Sequence, residues 1–118
     1  MRHINSLKNN QQFQNVFNNG KSFANRYLVM YTVENHLDEN RLGISVSKKV
    51  GNSVVRHRFC RLVRESYRLR KEMFNSGLDI VVIARHSAAS ISYHELDAAL
   101  LHLAKLHHIM KEDEVSSK

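Results

Sequence analysis

The chain has 118 residues, of which 42% are hydrophobic and 25% are charged, and these proportions predict one folded domain with a single core. Its one cysteine rules out an internal disulfide, no apolar run is long enough to cross a bilayer, and the segment MRHINSLKNN lacks the apolar core of a signal peptide, so we expect a cytoplasmic protein. The formal net charge of +7 indicates an anionic partner, either nucleic acid or a membrane surface.

The first predicted element is a short helix around Asn10 to Asn18. Phe13, Val16 and Phe17 recur at the i, i+3, i+4 spacing of one helical face. Gly20 follows as a residue that commonly ends a helix. An apolar pair four residues apart usually anchors a helix to the core, so both phenylalanines also have a purely structural interpretation.

Strands are predicted after this helix. Tyr27 to Val33 alternates and is rich in aromatic and β-branched residues, and Arg41 to Ser47 is a second alternating segment. One face of the second strand carries only Gly43, Ser45 and Ser47. Such a face either packs tightly under another element or leaves room for the backbone of a ligand.

A long helix is predicted next, capped by Asn52 or Ser53 and running to about Asn75. At helical spacing its expected core stripe comprises Val55, Phe59, Leu62, Ser66, Leu69 and Met73. Asp79 to Ala84 then predicts a short buried strand.

The last predicted helix begins at Ser92, which forms the sequence pattern of a capping box with Glu95. Its expected core face comprises Leu96, Ala99, Leu100, Leu103, Leu106 and Met110. The whole pattern predicts an α+β fold: a two-layer sandwich with a mixed sheet of about four strands and three helices, in the order αβββαβα. The strands at 41–47 and 79–84 are expected to be parallel because a helix connects them. We expect one domain over residues 1–118, ordered over about 5–111, with a frayed tail at 112–118.

Half of the positive charge lies in the long helix and the turn before it. Nine basic residues and one acid, Glu65, fall between positions 48 and 71, so this stretch carries +8 and the remainder −1. The nine are Lys48, Lys49, Arg56, Arg58, Arg61, Arg64, Arg68, Arg70 and Lys71. Like charges at helical spacing repel, which favours a polyanionic partner over solvent. Arginines are suited to phosphate, and Gly51 with the free N–H groups of the helix start adds an anion site. A membrane surface is less favoured because the apolar side of the helix is already assigned to the core.

The segment SVSKKVGNSVVRHRFCRLVRE, residues 45–65, resembles the signature of the protein subunit of bacterial ribonuclease P. The flanking segments agree: FQNVF at 13–17 with the following Gly20-Lys21, YLVMY at 27–31 and DIVVIAR at 79–85 resemble the family's first helix, sheet and last strand. Two positions depart from the family pattern. His57 stands where asparagine is usual between the two arginines, and Cys60 where lysine is usual before Arg61.

The resemblance implies that the protein binds ribonuclease P RNA and assists that RNA in removing the 5′ leader of precursor tRNA. The implied contacts to the RNA subunit are Lys48, Lys49, Asn52, Arg56, His57, Arg58, Arg61, Arg64 and Arg68. The implied cleft for the single-stranded leader is lined by Phe13, Phe17, Tyr31, Ser45 and Ser47. The resemblance also implies a left-handed β-α-β crossover, and Mg²⁺ held by the RNA subunit and the substrate rather than by the protein. The alternative function is a structural RNA-binding protein of a ribosome-like particle with no role in cleavage.

No self-contained catalytic or metal site is predicted. The eight histidines show neither zinc-ligand spacing nor an HExxH motif. Cys60 has no CxxC partner, and a half-buried thiol on a helix is the simplest interpretation of it. We therefore expect no catalytic residue and no metal ligand in the chain, which agrees with the RNA-catalysed hydrolysis that the resemblance implies.

Overall fold

The computed structural model describes residues 4–111, and the predicted frayed tail at 112–118 lies outside these residues. The elements, in chain order, are α1 Asn10–Asn19, β1 Lys21–Ala24, β2 Leu28–Glu34, β3 Arg41–Ser45, α2 Ser53–Arg70, β4 Leu78–Ala84 and α3 Tyr93–Leu106. Short 3₁₀ turns at Lys71–Met73 and His86–Ala88 follow α2 and β4. The predicted single α+β domain with three helices and four strands is confirmed.

The four strands form one mixed sheet in the order β1-β2-β4-β3. β3 and β4 are parallel, as predicted, with Leu42 opposite Ile80, while β1 and β2 pair antiparallel. The sequence did not locate β1, because all four of its side chains are exposed and show no alternation of burial. β3 ends at Ser45, two residues before the predicted end, because Ser47 already accepts a backbone hydrogen bond from Val50 in the following turn.

Most of the core lies between the sheet and the pair α2–α3. Leu28, Met30 and Val82 point to this side and are fully buried against Phe59 and Leu100. α1 lies on the opposite face and buries Val16 against Val81 and Leu7. The two-layer description therefore holds for the sheet with α2 and α3, and α1 adds partial cover on the second face.

The core stripe predicted for α2 is wrong in part. The buried residues of this helix are Phe59, Val63, Ser66 and Tyr67. Leu69 and Met73 are instead 55% and 43% exposed, so the helix is rotated by roughly 60° from the predicted orientation. Phe59 and Ser66 are buried as predicted, and the Ser66 hydroxyl donates to Asp97. Val63 and Tyr67 are the buried residues that the prediction missed, and the Tyr67 ring packs against Phe74 with centroids 5.8 Å apart.

α2 also ends earlier than predicted, at Arg70 rather than near Asn75. The chain tightens into the 3₁₀ turn Lys71–Met73, and this change of pitch takes Met73 out of the register of the helix. Burial raises the pKa of Tyr67 to about 12, although a hydrogen bond with Asn40 opposes the increase. The phenol therefore stays neutral at physiological pH inside this part of the core.

α3 begins with the predicted capping box, in which Ser92 and Glu95 each accept a hydrogen bond from the other's backbone N–H. Its predicted core face is correct as far as Leu103. Leu106 is 37% exposed, and Met110 lies beyond the end of the helix, where it pairs with Phe74 as an isolated β-bridge. Leu106 is therefore wrong as a core position because the helix stops there and the chain turns through His108 at φ 59°. Met110 is half-buried and packs against the main core as predicted, although it does so from beyond the helix.

Candidate nucleic-acid interface

One face of α2 is covered with cationic side chains that have no carboxylate partner. His57, Arg61 and Arg64 are exposed, and Arg56 and Arg58 are half-buried. Within residues 4–111, the ion pairs of at most 4.0 Å include none of these four arginines. The guanidinium groups of this face therefore keep most of their hydrogen-bond donors for an external anion.

Two other arginines of α2 are neutralised by nearby acids. Arg68 forms a two-bond ion pair with Glu65, with N–O distances of 2.7 and 3.3 Å. Arg70 forms a similar pair with Asp97 of α3, at 2.6 and 3.1 Å. Of these two, only Arg68 belongs to the predicted RNA contacts. Among the arginines predicted to contact RNA, it is the one whose charge is reduced by an ion pair within the described residues. Arg70 instead joins the two helices.

The N-terminus of α2 is a tightly organised turn. The side-chain oxygen of Asn52 accepts from the N–H of Val55 at 3.0 Å, and Arg56 donates to the Gly51 carbonyl at 3.2 Å. Lys48 and Lys49 are exposed beside this turn. Because the Asn52 oxygen is used as the helix cap, its amide nitrogen is the part left for an external ligand.

Gly51 is needed for packing at this turn. A Cβ at position 51 would lie 2.6 Å from the side chain of Val55, a distance that real Cβ contacts do not show. The glycine therefore allows the turn to fold back on the first turn of α2.

Cys60 is half-buried on α2, as predicted for a structural thiol. Burial raises the pKa of this thiol, and the neighbouring Arg64 and Arg56 act in the opposite direction with smaller effect. The side chain is therefore a thiol at neutral pH, without the thiolate character of a reactive cysteine.

Three of the predicted cleft residues form one aromatic cluster between α1 and β2. The ring of Phe17 meets Tyr31 edge-on with centroids 5.1 Å apart, and Phe13 lies 6.4 Å from Phe17. All three rings are half-buried against the small cluster of Leu7, Val16 and Val81. They therefore pack as core residues and still present part of their surface to the outside.

The three small residues predicted on one face of β3 differ in their surroundings. A Cβ at Gly43 would lie 2.7 Å from the Phe13 ring, so tight packing is the explanation at this position. Ser45 is half-buried on the same strand face. Ser47 is past the end of β3, and its hydroxyl accepts from the N–H of Lys49, so it belongs to the basic turn rather than to the floor beside the rings.

Two further residues on this side of the sheet were not among the predicted cleft residues. Val33 of β2 and Ile83 of β4 are half-buried and, like the three rings, pack against the buried cluster of Leu7, Val16 and Val81. Both alternate with residues of the main core along their strands, which is the signal that could have assigned them to the second face. Ile83 needed the strand order as well, since only the sheet topology makes β4 the neighbour of β2.

The described residues contain neither a metal-binding cluster nor a membrane-spanning helix. Over positions 4–111 no group of three or more His, Cys, Asp or Glu side chains is arranged to hold a metal ion. Over the same positions no helix combines the length and the apolar character that a membrane crossing requires.

The fold and this surface together define a class: a small α+β protein that combines a basic helix face with a half-open aromatic cluster on the other side of its sheet. Comparison with known proteins is more specific. The family model described as Ribonuclease P matches residues 1–108, and the chain belongs to the ribonuclease P protein family.

Proteins of similar sequence and proteins of similar structure both point to this family. The chain is 65% identical over 109 residues to the ribonuclease P protein component of Lachnoclostridium phytofermentans, covering 92% of this chain and 94% of that one. Identity to the corresponding protein of Alkaliphilus metalliredigens is 50%, over 89% and 95% of the two chains. The structure is similar to that of the Staphylococcus aureus protein, with a TM-score of 0.85 at 37% identity over 92% and 100% of the chains. For the Thermotoga maritima protein the TM-score is 0.79 at 34% identity, over 86% and 96%.

Proposed function

We propose that this chain is the protein component of a cytoplasmic ribonuclease P and binds the RNA subunit of that enzyme through the basic face of α2. The observation that carries the proposal is the row of unpaired arginines on a helix whose sequence matches the family. Arg56, Arg58, Arg61 and Arg64 have no acidic partner within the described residues. Guanidinium groups bind phosphate oxygens with two parallel hydrogen bonds, so this face is suited to a folded RNA.

The aromatic cluster supports the second part of the proposal, in which the protein holds the 5′ leader of precursor tRNA. Unpaired bases bind proteins by stacking on aromatic side chains beside a basic groove. Phe13, Phe17 and Tyr31 retain partial exposure on one side of the sheet. β3 connects this cluster to the basic turn, because Gly43 touches Phe13 and the residues after Ser45 lead to Lys48. A leader on the rings would therefore continue toward positive charge.

In this proposal the RNA subunit performs the hydrolysis and, with the substrate, holds the Mg²⁺ ions. The protein contributes binding and orientation: it neutralises phosphates of the RNA and restrains the leader near the scissile bond. Neutralising phosphates also reduces the concentration of Mg²⁺ that the RNA needs to stay folded. The protein side chains are assigned no proton transfer.

Reconstitution tests the proposal. The purified protein, the ribonuclease P RNA of the same genome, and the two together are each incubated with a precursor tRNA at low Mg²⁺ concentration. We expect cleavage at the mature 5′ end only when both components are present. Efficient cleavage by RNA-free protein, or no stimulation of the RNA by the protein, would contradict the proposal.

A further inference from the structure

A second group of basic side chains lies outside the face of α2. Arg26 precedes β2, and Arg85 and His86 follow β4. With Asn25 and Ser87 they line an open concavity of about 660 Å³. All three basic side chains are exposed. We call Arg26, Arg85 and His86 the Arg26–Arg85 cluster.

The sheet topology brings this cluster to the same end of the sheet as the basic turn before α2. Leu28 pairs with Ala84, and Ser45 pairs with Ile83, so the start of β2 and the ends of β4 and β3 lie side by side. Neighbouring strands are about 5 Å apart. Arg85 therefore lies between Arg26 on one side and the turn that carries Lys48 and Lys49 on the other.

The opposite end of the sheet has a different charge. β2 ends there at Glu34, and the following loop adds Asp38 and Glu39, all of them exposed. Arg41, which begins β3 at this end, is held by the buried carboxylate of Asp79 at 2.8 Å. Lys21, Lys71 and Lys111 also lie near this end, so its charge is mixed, whereas the end that carries the cluster continues the positive charge of α2.

Several hydrogen bonds fix the backbone of the cluster. The side chain of Asn25 accepts from the N–H groups of Tyr27 and Leu28 and donates to the Ala99 carbonyl of α3. Arg85 donates from its backbone to Tyr27 and from Nη1 to the Asn25 carbonyl, at 2.9 and 2.8 Å. These bonds connect the loop before β2 to the end of β4, so the cationic groups are held on a rigid frame.

Most donors of the two guanidinium groups remain available. Arg85 uses one of its five side-chain N–H groups, for Asn25. Arg26 stacks on the ring of Tyr27 at 5.2 Å. Glu95 is a competing acid close enough to be affected by Arg26: its pKa is lowered mainly by the Ser92 backbone hydrogen bond, and Arg26 makes the smallest of the other contributions. Its two oxygens already accept from Ser92 and Tyr27, which limits how far it can neutralise Arg26.

We propose that the Arg26–Arg85 cluster is a second phosphate-binding surface for RNA, continuous with the basic turn before α2. The inference rests on the proposed function, and it extends the RNA contact across the end of the sheet from β3 to β2. The proposed contact is electrostatic, and it is independent of base sequence because phosphate contacts position a nucleic acid without reading its bases.

The test compares the salt dependence of binding for matched variants. Arg26→Gln/Arg85→Gln removes two charges from the cluster, and the control Lys21→Gln/Lys105→Gln removes two from exposed positions elsewhere. Arg61→Gln reports on α2. Each protein is titrated with ribonuclease P RNA, and each assembled enzyme with precursor and mature tRNA, at several salt concentrations. Thermal unfolding checks that each variant is folded. Arg26→Glu serves as a second variant, because the Arg26 side chain makes no intramolecular hydrogen bond among the described residues and its replacement should not disturb the fold.

We expect the double variant to lower the slope of log K against log salt by about 1.4–1.8, or 0.7–0.9 for each lost phosphate contact, and the control to leave it unchanged. The titration in which the slope falls identifies the RNA that the cluster contacts. If the folded Arg26 and Arg85 variants leave the slope unchanged in all titrations while Arg61→Gln lowers it, the cluster does not bind RNA. That result would overturn the inference and leave the proposed function intact. An unchanged slope for Arg61→Gln would instead count against the proposed role of α2.

Discussion

The ring of Phe13 occupies the space that a side chain at position 43 would need. A Cβ built on Gly43 lies 2.7 Å from Cε1 of Phe13 and 2.9 Å from Cδ1 of Leu7. The smallest residue on β3 is therefore what allows α1 to lie close to the sheet, and with it the aromatic cluster that includes Phe17 and Tyr31.

Gly43→Ala should consequently destabilise the protein. The added methyl group must displace the Phe13 ring, and overpacking of this kind costs about 1–3 kcal/mol. Urea unfolding measures the loss. Ser45→Ala, on the same face of β3, is the matched control and should change the free energy of unfolding by much less. If Gly43→Ala is as stable as the parent, the contact between β3 and Phe13 is looser than described.

The aromatic cluster should distinguish precursor from mature tRNA. Phe17→Ala or Tyr31→Ala should weaken binding of precursor tRNA to the assembled enzyme by about 1–3 kcal/mol for each stacked base lost. Mature tRNA, which has no leader, should bind with unchanged affinity. Phe23→Ala removes an exposed ring on β1 and is a suitable control. Equal losses for both tRNAs would favour a purely structural role for these rings.

The arginines of α2 should differ in their contribution to RNA binding. Arg61→Gln or Arg64→Gln should each lower the slope of log K against log salt by about 0.7–0.9. Arg68→Gln should have a smaller effect, because the charge of Arg68 is already paired with Glu65. Filter binding or fluorescence titration at four or more salt concentrations measures the slopes. Identical decreases for all three variants would show that the Arg68–Glu65 pair opens when RNA binds.

Asp97 should make the free energy of unfolding depend on pH in the acid range. Hydrogen bonds from Arg70, followed by one from Ser66, lower the pKa of Asp97 in the folded state. A carboxylate with a lowered pKa stabilises the fold above its unfolded pKa of about 3.9 and loses this contribution as the pH falls below that value. Asp97→Asn should therefore cost about 1–3 kcal/mol at pH 7, and the difference from the parent should shrink below about pH 4. A difference that does not change with pH would mean that the charge of Asp97 is not what joins α2 to α3.

His107 should make the stability of the fold depend on pH in the neutral range, and here too the stability should decrease as the pH falls. Its Nε2 lies 2.8 Å from the Met30 carbonyl, which can only accept, so the proton is on Nε2 and Nδ1 accepts from the hydroxyl of Thr32. Burial lowers the pKa of His107. The fold should therefore lose stability as the pH falls below about 6.5, where the unfolded histidine takes up a proton first.

The pH dependence should be smaller in His107→Gln than in the parent protein. Unfolding at pH 5.5 and 7.5 measures both, and ¹⁵N NMR identifies the Nε2–H tautomer independently. A His107 ring protonated on Nδ1 at pH 7 would contradict this assignment.

The sequence alone was enough to predict the α+β class, the positions of three of the four strands, the parallel pair β3–β4 and the capping box at Ser92, because these depend on local periodicity and on residues close in the chain. It also located the basic stretch from Lys48 to Lys71, since charge density can be read without coordinates. Tertiary structure decided which side of α2 faces the core: Val63 and Tyr67 are buried, the latter against Phe74 beyond the helix, whereas Leu69 remains exposed. It also decided which basic residues are free. Whether Arg61 is unpaired and Arg70 is neutralised depends on the packing of α3 against α2. Arg26, Arg85 and Lys48 lie at the same end of the sheet only because strand pairing brings the ends of β3 and β4 beside the start of β2.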